Sequence, residues 1–372
     1  MKILFWFSLS LVIYAYFIYP SWLFLRVRLY PRPVRPKPIF PTVSIVIAAR
    51  NEAKCLNEKL HSLQRLDYPG GLMETIVVSD GSTDQTNEIL GNLAVSRVRS
   101  ILLSAHHGKA EALNRAIEVS NGDIIVFMDV RQRVATDSLK MLVENFADPT
   151  VGCVSGELVL GRVEESAAPR GVGSYWKMEK SIRCWESASG STVGATGALY
   201  AARRSLIPRL PAALVLDDVF VPMAVARNGA RVIFEPRALA WDVLSSSSKQ
   251  EFQRKVRTLF GNYQLLRFAP WLLTAANPLR FEFISHKLSR LAVPFALISV
   301  IVASAFLSGF IYKLPIAVGI GLAALGALSL LRAPLGFGSR VAELALAFFL
   351  LNTAALVAFF YFAIGKKQVW VH

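Results

Sequence analysis

Two apolar segments, TIVVSDGS at residues 75–82 and IIVFMDVR at residues 124–131, each lead into an aspartate, Asp80 and Asp129. Short runs rich in β-branched residues are typical of strands that are buried on both faces of a parallel sheet. Ligands of open α/β sheets bind beyond the carboxyl ends of such strands. We therefore expect both carboxylates to face one crevice at the edge of a parallel sheet.

Strand and helix patterns alternate around these two segments. The expected strands are 43–48, 74–78, 97–103 and 124–128, and the expected helices between them are 52–66, 83–93 and 109–120. Repeated βα units of this kind indicate a mostly parallel sheet. The sequence thus predicts an α/β domain over residues 43–265.

A long apolar segment precedes this domain. Residues 3–25 carry no charge, and about 20 apolar residues suffice to span a bilayer. The segment is too long for the core of a cleaved signal peptide and lacks a small-residue cleavage site, so residues 1–25 are predicted to be an uncleaved membrane helix. The linker 26–42 is rich in arginine and proline. By the positive-inside rule, its charges predict a cytoplasmic location for the domain that follows.

Three more apolar segments, at 291–311, 314–331 and 341–364, predict membrane helices within 289–365, although one of them can instead be re-entrant or interfacial. Residues 266–288 mix tryptophan and arginine, which favours an amphipathic helix at the headgroup level over 268–283 or a packed helix of the α/β domain. Lys366 and Lys367, in the tail 366–372, break the charge rule under this topology. The side on which the C-terminus lies stays open.

Composition excludes several classes of protein. The net charge is +15, but many basic residues flank the apolar segments or lie at 203–209 and 249–257, where anionic lipid or diphosphate would meet them. No nucleic-acid-binding module is recognisable. The three cysteines, Cys55, Cys153 and Cys184, have no paired spacing. That pattern argues against a disulfide framework and a zinc site, and it suits a reducing cytoplasm.

Two motifs carry groups suited to an anionic ligand. Residues 80–84, DGSTD, combine a carboxylate with a flexible glycine and side chains that can cap the next helix, so capping is an alternative role for the whole set. Residues 106–109, HHGK, precede a predicted helix. Lys109 and the backbone N–H groups there could meet a diphosphate at the helix N-terminus. For the two histidines we expect an exposed loop rather than metal ligation.

The chain resembles the family 2 inverting glycosyltransferases with a GT-A catalytic domain, especially their membrane-bound bacterial branch. The resemblance runs from about residue 41 to residue 267. It rests on six motifs in order, which are VSIVIAARNE at 43–52, SDGSTD at 79–84, GKAEALN at 108–114, FMDVRQ at 127–132, GATGALYAARR at 194–204 and DDVFVP at 217–222. It implies a Rossmann-like mixed, mostly parallel sheet in a cytoplasmic domain with transmembrane helices.

Roles for individual residues follow from this resemblance. Asp218 matches the general base, and Asp129 matches the first aspartate of the family's D-x-D, which meets the diphosphate through Mg²⁺ or Mn²⁺. Asp80 is expected to accept a hydrogen bond from the nucleotide base. The full set for the nucleotide and donor is Ala49, Arg50, Asn51, Glu52, Asp80, Gly81, Lys109, Asp129 and Arg131. The set for the acceptor and diphosphate is Gly197, Asp217, Gln253, Arg254 and Arg257.

The chemistry of inverting transfer supports these roles independently. One carboxylate must remove the acceptor proton while the charge of the leaving nucleoside diphosphate is neutralised. Asp218 can supply the base, and a metal, Lys109 and the arginines at 254 and 257 can supply the positive charge. Repulsion from Asp217 should raise the pKa of the aspartate pair. The alternative is that Asp217 and Asp218 cap the helix that follows them.

Two departures from the family pattern shape the functional prediction. Arg131 replaces the second aspartate of D-x-D, where it can neutralise the diphosphate directly or pair with Asp129. Thr258 replaces the tryptophan that closes the Gln/Arg motif of processive members. We therefore expect transfer of one sugar, from a UDP-sugar, to a lipid-linked or membrane-associated glycan acceptor in envelope polysaccharide or glycolipid synthesis.

The expected partners are the nucleotide-sugar donor, the acceptor and membrane lipids, without nucleic acid, and the expected location is a bacterial inner membrane. An inactive assembly subunit, a processive polysaccharide synthase and a transporter are the alternatives. The transporter is remote, because Glu343 is the only acidic residue in the last three apolar segments.

Overall fold

The computed structural model describes residues 1–92, 98–161, 173–242, 248–330 and 339–366. Within these ranges one mixed sheet of eight strands forms, in the order β3-β2-β1-β4-β7-β6-β8-β5. The strands are β1 Val43–Ala49, β2 Met73–Asp80, β3 Val98–Leu103, β4 Ile124–Met128, β5 Arg133–Val134, β6 Val151–Leu160, β7 Leu199–Arg203 and β8 Arg231–Asp242.

Helices cover both faces of the sheet and extend from one end of the domain. They are α1 Lys2–Leu29, α2 Ala53–Gln64, α3 Thr86–Gly91, α4 Lys109–Glu118, α5 Ser138–Val143, α6 Gly173–Ser189, α7 Asp217–Arg227, α8 Ser248–Phe268, α9 Arg280–Phe306, α10 Phe310–Leu330 and α11 Ser339–Ala363. Helices α1 and α9 each contain a π-helical turn, Tyr14–Ile18 and Ile284–Leu288. Single 3₁₀ turns form at Gly70–Leu72, Glu144–Ala147, Arg204–Leu206 and Pro270–Leu273.

The strands predicted from the sequence form the parallel half of the sheet. Strand β1 pairs in parallel with β2 and with β4, and β2 pairs in parallel with β3. Alternate residues of β1 face two apolar layers: Val46 packs on the side of α4 and α7, and Ile45 and Ile47 pack on the side of α2 and α5. Burial on both faces explains why these strands read as continuous apolar runs. The predicted mixed, mostly parallel fold is confirmed.

Two predicted helices differ from the structure. Helix α3 is shorter than the predicted 83–93, because Asp84 accepts hydrogen bonds from the backbone N–H groups of Ala53 and Thr86 and is held outside the helix. The continuous helix expected over 268–283 is wrong. Helix α8 ends at Phe268 and α9 begins only at Arg280, since Pro270 and Pro278 interrupt the helical hydrogen bonds between them.

Four helices, α1, α9, α10 and α11, are long and apolar enough to cross a membrane by length and composition. They match the four apolar segments of the sequence, although residue 331 of the third segment lies outside the described residues. Phe5 of α1 packs against Val300 and Ala303 of α9. Helix α11 packs against α8 through Ala354 and Ala358. Helix α11 therefore contacts the α/β domain directly.

Candidate active site

The site forms where β1, β2 and β4 end. These strands are parallel neighbours, with Ala49 opposite Ser79 and Val46 opposite Phe127, so the residues that follow them meet at one edge of the sheet. The segments 50–52, 80–84 and 129–131 lie there, as the sequence predicted. The crevice is therefore built by the carboxyl ends of three adjacent strands.

Asn51 and Glu52 join the end of β1 to the segment 82–86. Asn51 has a positive φ of 53°, and its Oδ1 accepts a hydrogen bond of 2.8 Å from the backbone N–H of Thr83. The backbone N–H of Glu52 donates to Thr86 Oγ1 at 2.9 Å. Arg50 lies beside them with its Nε atom buried and without a hydrogen-bond partner, which leaves one donor for a ligand at this edge.

Asp80 holds the loop that precedes α4. Its side chain is buried, with the residue 3% exposed, and its carboxylate accepts from His106 Nδ1 at 2.7 Å, from the His107 N–H at 2.7 Å and from the Gly108 N–H at 2.9 Å. His106 and His107 lie in an exposed loop, as expected from the sequence, and Asp80 holds His106 in place there. These three bonds fix the start of α4, while contact of Asp80 with a nucleotide base stays a prediction.

Gly81 allows this loop to approach. It has a φ of +60°, and a Cβ at this position would lie 2.5 Å from the carbonyl carbon of Ala105 and 2.5 Å from the backbone nitrogen of His106. A side chain would therefore push the 105–108 loop away from β2, because both clashing atoms belong to backbone. The glycine is required for the position of Lys109, which follows this loop.

Lys109, the first residue of α4, connects three elements through two aspartates. Its Nζ lies 3.0 Å from Asp129 Oδ1 after β4 and 3.1 Å from Asp217 Oδ1 at the start of α7. Burial lowers the pKa of Lys109, but Asp129 and Asp217 outweigh burial and raise it above its ordinary value. Tyr200 donates a hydrogen bond of 3.0 Å to Asp217 Oδ2. Lys109 is therefore a permanent cation at the centre of the acidic residues.

Asp218, the predicted base, lies beside this cation. Burial, together with the charge of Asp217, raises the pKa of Asp218 from 3.8 to about 6. The expected direction of the shift is therefore observed, with burial as the larger cause. Neither aspartate caps α7, because the N-cap is Leu216 and it has no side-chain cap. A carboxylate with this pKa is mostly ionised near neutral pH and can accept a proton.

Gly197 contacts the base from the loop before β7. Its backbone N–H donates to Asp218 Oδ2 at 3.1 Å, and a Cβ on residue 197 would lie 3.1 Å from the same oxygen. The neighbouring Ala195 N–H donates to the backbone carbonyl of Asp218 at 2.7 Å. The loop thus orients the base with backbone groups, and a Cβ at residue 197 would have to displace the Asp218 carboxylate by a small distance.

Arg131 pairs with Glu52. Its Nε lies 2.9 Å from Glu52 Oε1, and among the residues that the structure describes it forms no ion pair with Asp129, so that alternative is wrong. Burial raises the pKa of Glu52 against the opposing charge of Arg131. No group of three His, Cys, Asp or Glu side chains within the described ranges is placed to hold a metal. Since Mg²⁺ is often held by one carboxylate and phosphate oxygens, Asp129 fits a cation as a single protein ligand.

The Gln/Arg motif lies on α8. Arg254 Nη1 is 3.4 Å from Asp242 Oδ2 at the end of β8. Gln253 and Arg257 lie on the same helix, and their contact with the acceptor or diphosphate stays a prediction. Helix α8 approaches the base through Gln264, which accepts from the Val215 N–H at 3.0 Å and donates to the Ala213 carbonyl at 2.8 Å. These two bonds hold the segment that leads into Asp217 and Asp218.

Sequence reasoning missed a buried lysine below the loop that carries Asp129. Lys59 of α2 is 3% exposed, and its Nζ donates to the Gln132 carbonyl at 2.9 Å. Burial lowers the pKa of Lys59 to about 8, against the opposing charge of Asp129. The sequence gives no sign that Lys59 is buried, because the contact of its side chain depends on the position of the loop after β4.

Comparisons with known proteins agree on the α/β domain. Residues 44–210 match the family model for glycosyl transferase family 2. The chain is 31% identical over 180 residues to a β-monoglucosyldiacylglycerol synthase of Nostoc sp., covering 47% of this chain and 37% of that protein. It is 23% identical over 236 residues to a poly-β-1,6-N-acetyl-D-glucosamine synthase of Staphylococcus epidermidis, covering 60% and 55%.

A solved structure shares the whole fold. It is the mannosyltransferase PcManGT from Pyrobaculum calidifontis, in complex with GDP-Man and Mn²⁺, with a TM-score of 0.73, 24% identity and coverage of 98% of this chain and 99% of that chain. The chain spans less than two thirds of the curated relatives named above. The likeness to PcManGT concerns the arrangement of strands and helices.

Proposed function

We propose that this chain, which carries a family 2 glycosyltransferase domain at residues 44–210, is an inverting glycosyltransferase that uses a nucleotide-diphosphate sugar. The observation that carries the proposal is the position of Asp218, a carboxylate whose pKa is raised to about 6. It follows Asp217, which together with Asp129 forms ion pairs with Lys109 at the carboxyl edge of the sheet. A base and a cation on either side of one reacting centre are the requirements of a direct displacement.

In this reaction Asp218 accepts the proton of the acceptor hydroxyl. The hydroxyl oxygen forms a bond to the anomeric carbon as the bond from that carbon to the diphosphate oxygen breaks, so the configuration inverts. Near neutral pH most Asp218 side chains are ionised. The Gly197 N–H, at 3.1 Å, keeps the carboxylate in one orientation while it accepts the proton.

Charge on the departing nucleoside diphosphate is met by Lys109 and by the backbone N–H groups at the start of α4. A bound divalent cation, Mg²⁺ or Mn²⁺, would add Lewis-acid neutralisation of the diphosphate, with Asp129 as its ligand. PcManGT was solved with GDP-Man and Mn²⁺, and we propose the carboxyl edge of the sheet as the donor site here. Arg131 and Glu52 form its outer rim.

We propose a UDP-sugar as donor and a lipid-linked or membrane-associated glycan as acceptor. The named relatives are synthases of a glycolipid and of a polysaccharide, and the apolar helices α1, α9 and α11 contact the catalytic domain. The arginines of the linker 26–42 favour a cytoplasmic site at a bacterial inner membrane. Transfer of a single sugar is favoured by Thr258 at the position of the tryptophan of processive enzymes.

The test is a donor screen on the purified full chain, with release of nucleoside diphosphate and mass spectrometry of cellular glycolipids as readouts. Wild type should turn over one donor class, and Asp218→Asn should lower the rate by at least about a hundredfold while it keeps nucleotide affinity. Asp129→Ala should weaken nucleotide binding in calorimetry, and EDTA should lower activity. Absence of turnover with every donor, together with unchanged glycolipids in cells carrying Asp218→Asn, would make this chain an inactive relative.

A further inference from the structure

Buried charges lie at the junction between the catalytic domain and the apolar helices. His286 of α9 is 2% exposed, and its ring lies between two glutamates of α6, with Nε2 at 3.0 Å from Glu179 Oε1 and Nδ1 at 2.8 Å from Glu186 Oε1. Tyr19 of α1 donates to Glu186 Oε1 at 2.7 Å. Three helices thus meet around two buried carboxylates.

The same cluster reaches the base. Arg290 of α9 donates to Glu179 Oε2 at 2.6 Å, and Arg183 of α6 donates to Thr196 Oγ1 at 2.8 Å. Thr196 is followed by Gly197, whose N–H binds Asp218. The charged junction and the base therefore lie on two sides of the same loop.

Lys287 follows His286 in the π-helical turn of α9 and is partly buried. The charged side chains whose fields reach it are Glu179, Arg183, Asp218 and Glu186. In the described part of the chain its Nζ forms no hydrogen bond and no ion pair, whereas both glutamates are already engaged by other partners. A partly desolvated ammonium group without a counter-ion is unfavourable.

The charge balance at the junction leaves room for an anion. Arg183, Lys287 and Arg290 carry three positive charges, and Glu179 and Glu186 carry two negative charges. These five side chains therefore carry one positive charge in excess. Burial and Asp217 raise the pKa of Asp218, while Lys109 and Lys287 lower it, so one cation acts on the base from the donor side and one from the α9 side.

We propose, on the basis of the proposed function, that Lys287 and Arg183 bind the phosphate of a membrane-lipid acceptor whose headgroup also carries the reacting hydroxyl. Lys287 precedes the apolar part of α9 by one helical turn, which is the depth at which lipid headgroups lie beside a membrane helix. The phosphate against Lys287 brings the neighbouring hydroxyl to Asp218, which takes its proton as the sugar is transferred. A lipid acceptor without phosphate, such as diacylglycerol, would leave Lys287 without a counter-ion.

The test is native mass spectrometry of the full chain in detergent, titrated with phosphatidylglycerol and with diacylglycerol of the same acyl chains. Wild type should prefer phosphatidylglycerol by at least about tenfold, the effect of one charge-assisted hydrogen bond. Lys287→Gln should remove the preference and Lys287→Arg should keep it. The matched control is Lys313→Gln, which removes a lysine whose Nζ donates to the Ser304 carbonyl and should leave the preference unchanged.

Three results would overturn the proposal. The first is a preference for the phospholipid that is unchanged in Lys287→Gln. The second is weaker calorimetric binding of the nucleoside diphosphate in Lys287→Gln. The third is binding of inorganic phosphate through Lys287 that is as tight as binding of the lipid. The second result would assign Lys287 to the donor, and the third would assign it to a soluble anion. Failure of the proposed function is separate, because it would appear as absent turnover with every donor, whereas the lipid preference is measured as binding without a donor.

Discussion

The pH dependence of the reaction tests the position of Asp218 most directly. Its pKa is raised from 3.8 to about 6 by burial and by Asp217, and the base must be ionised to accept a proton. The rate should therefore fall as the pH drops through about 6. At about pH 5 only about one tenth of the enzyme would have an ionised base, whereas an aspartate at its ordinary pKa would be more than about nine tenths ionised.

The decisive perturbation is Lys109→Met, because it removes the cation that lowers the pKa of Asp218 and leaves a side chain of similar length. The acid limb of log kcat/KM against pH should move to higher pH by about one unit, the usual effect of one opposite charge in contact range. The limb position is the readout, since weaker donor binding lowers the height of the whole profile. Lys140→Met is the matched control, because Lys140 pairs with Asp67 elsewhere on the domain.

The assay is nucleoside-diphosphate release at limiting donor between about pH 4.5 and pH 8, with circular dichroism to show that each variant remains folded. An acid limb near pH 4 in wild type would refute the assignment of a buried, perturbed Asp218 as the base. The same limb position in wild type and Lys109→Met would refute the electrostatic argument.

Three further variants test individual contacts. Gly197→Ala puts a Cβ 3.1 Å from Asp218 Oδ2 and should lower kcat by about tenfold with an unchanged melting temperature; full activity would contradict this. Asp80→Ala removes three hydrogen bonds and should lower the free energy of unfolding by about 3 kcal/mol and weaken nucleotide binding, and unaltered calorimetry would contradict the role of the loop. Glu186→Ala removes the buried acceptor of His286 Nδ1 and of the Tyr19 hydroxyl and should cost about 3–5 kcal/mol in thermal unfolding, which a wild-type melting curve would exclude.

The position of Asp80 and Asp129 at one edge of the sheet could be predicted, because the local sequence determines where each strand ends. Apolar runs ending at Asp80 and Asp129 are strands that end at the same edge in parallel neighbours, and this result requires no knowledge of tertiary contacts. The glycine of the DGSTD motif also fits the structure, because the backbone of residues 105 and 106 lies too close to Gly81 for a side chain there. Patterns of period and composition therefore located the crevice.

The partners of these residues could not be predicted in the same way. Asp80 binds loop 106–108, Arg131 binds Glu52 and Lys59 binds the Gln132 carbonyl, and each pair joins segments that are far apart in the chain. Which oxygen a lysine or arginine reaches depends on loop geometry. The sequence gives no periodic signal for it. Lys287 is the extreme case, because it lies in an apolar helix and its charge acts on the base only through the way α9 packs against the domain.

The base lies between two cations that come from different parts of the molecule, and this has a consequence for catalysis. Lys109 and Lys287 both lower the pKa of Asp218, and in our proposals each meets the phosphate of a different substrate. When both substrates are bound, their negative charges oppose the two cations, so the pKa of Asp218 rises and the carboxylate becomes a stronger base only in the complete complex. The acid limb of kcat, which reports the bound enzyme, should therefore lie at higher pH than that of kcat/KM. Lys287→Gln should reduce the difference between the two limbs, and coincident limbs in wild type would show that the substrates do not act on the base in this way.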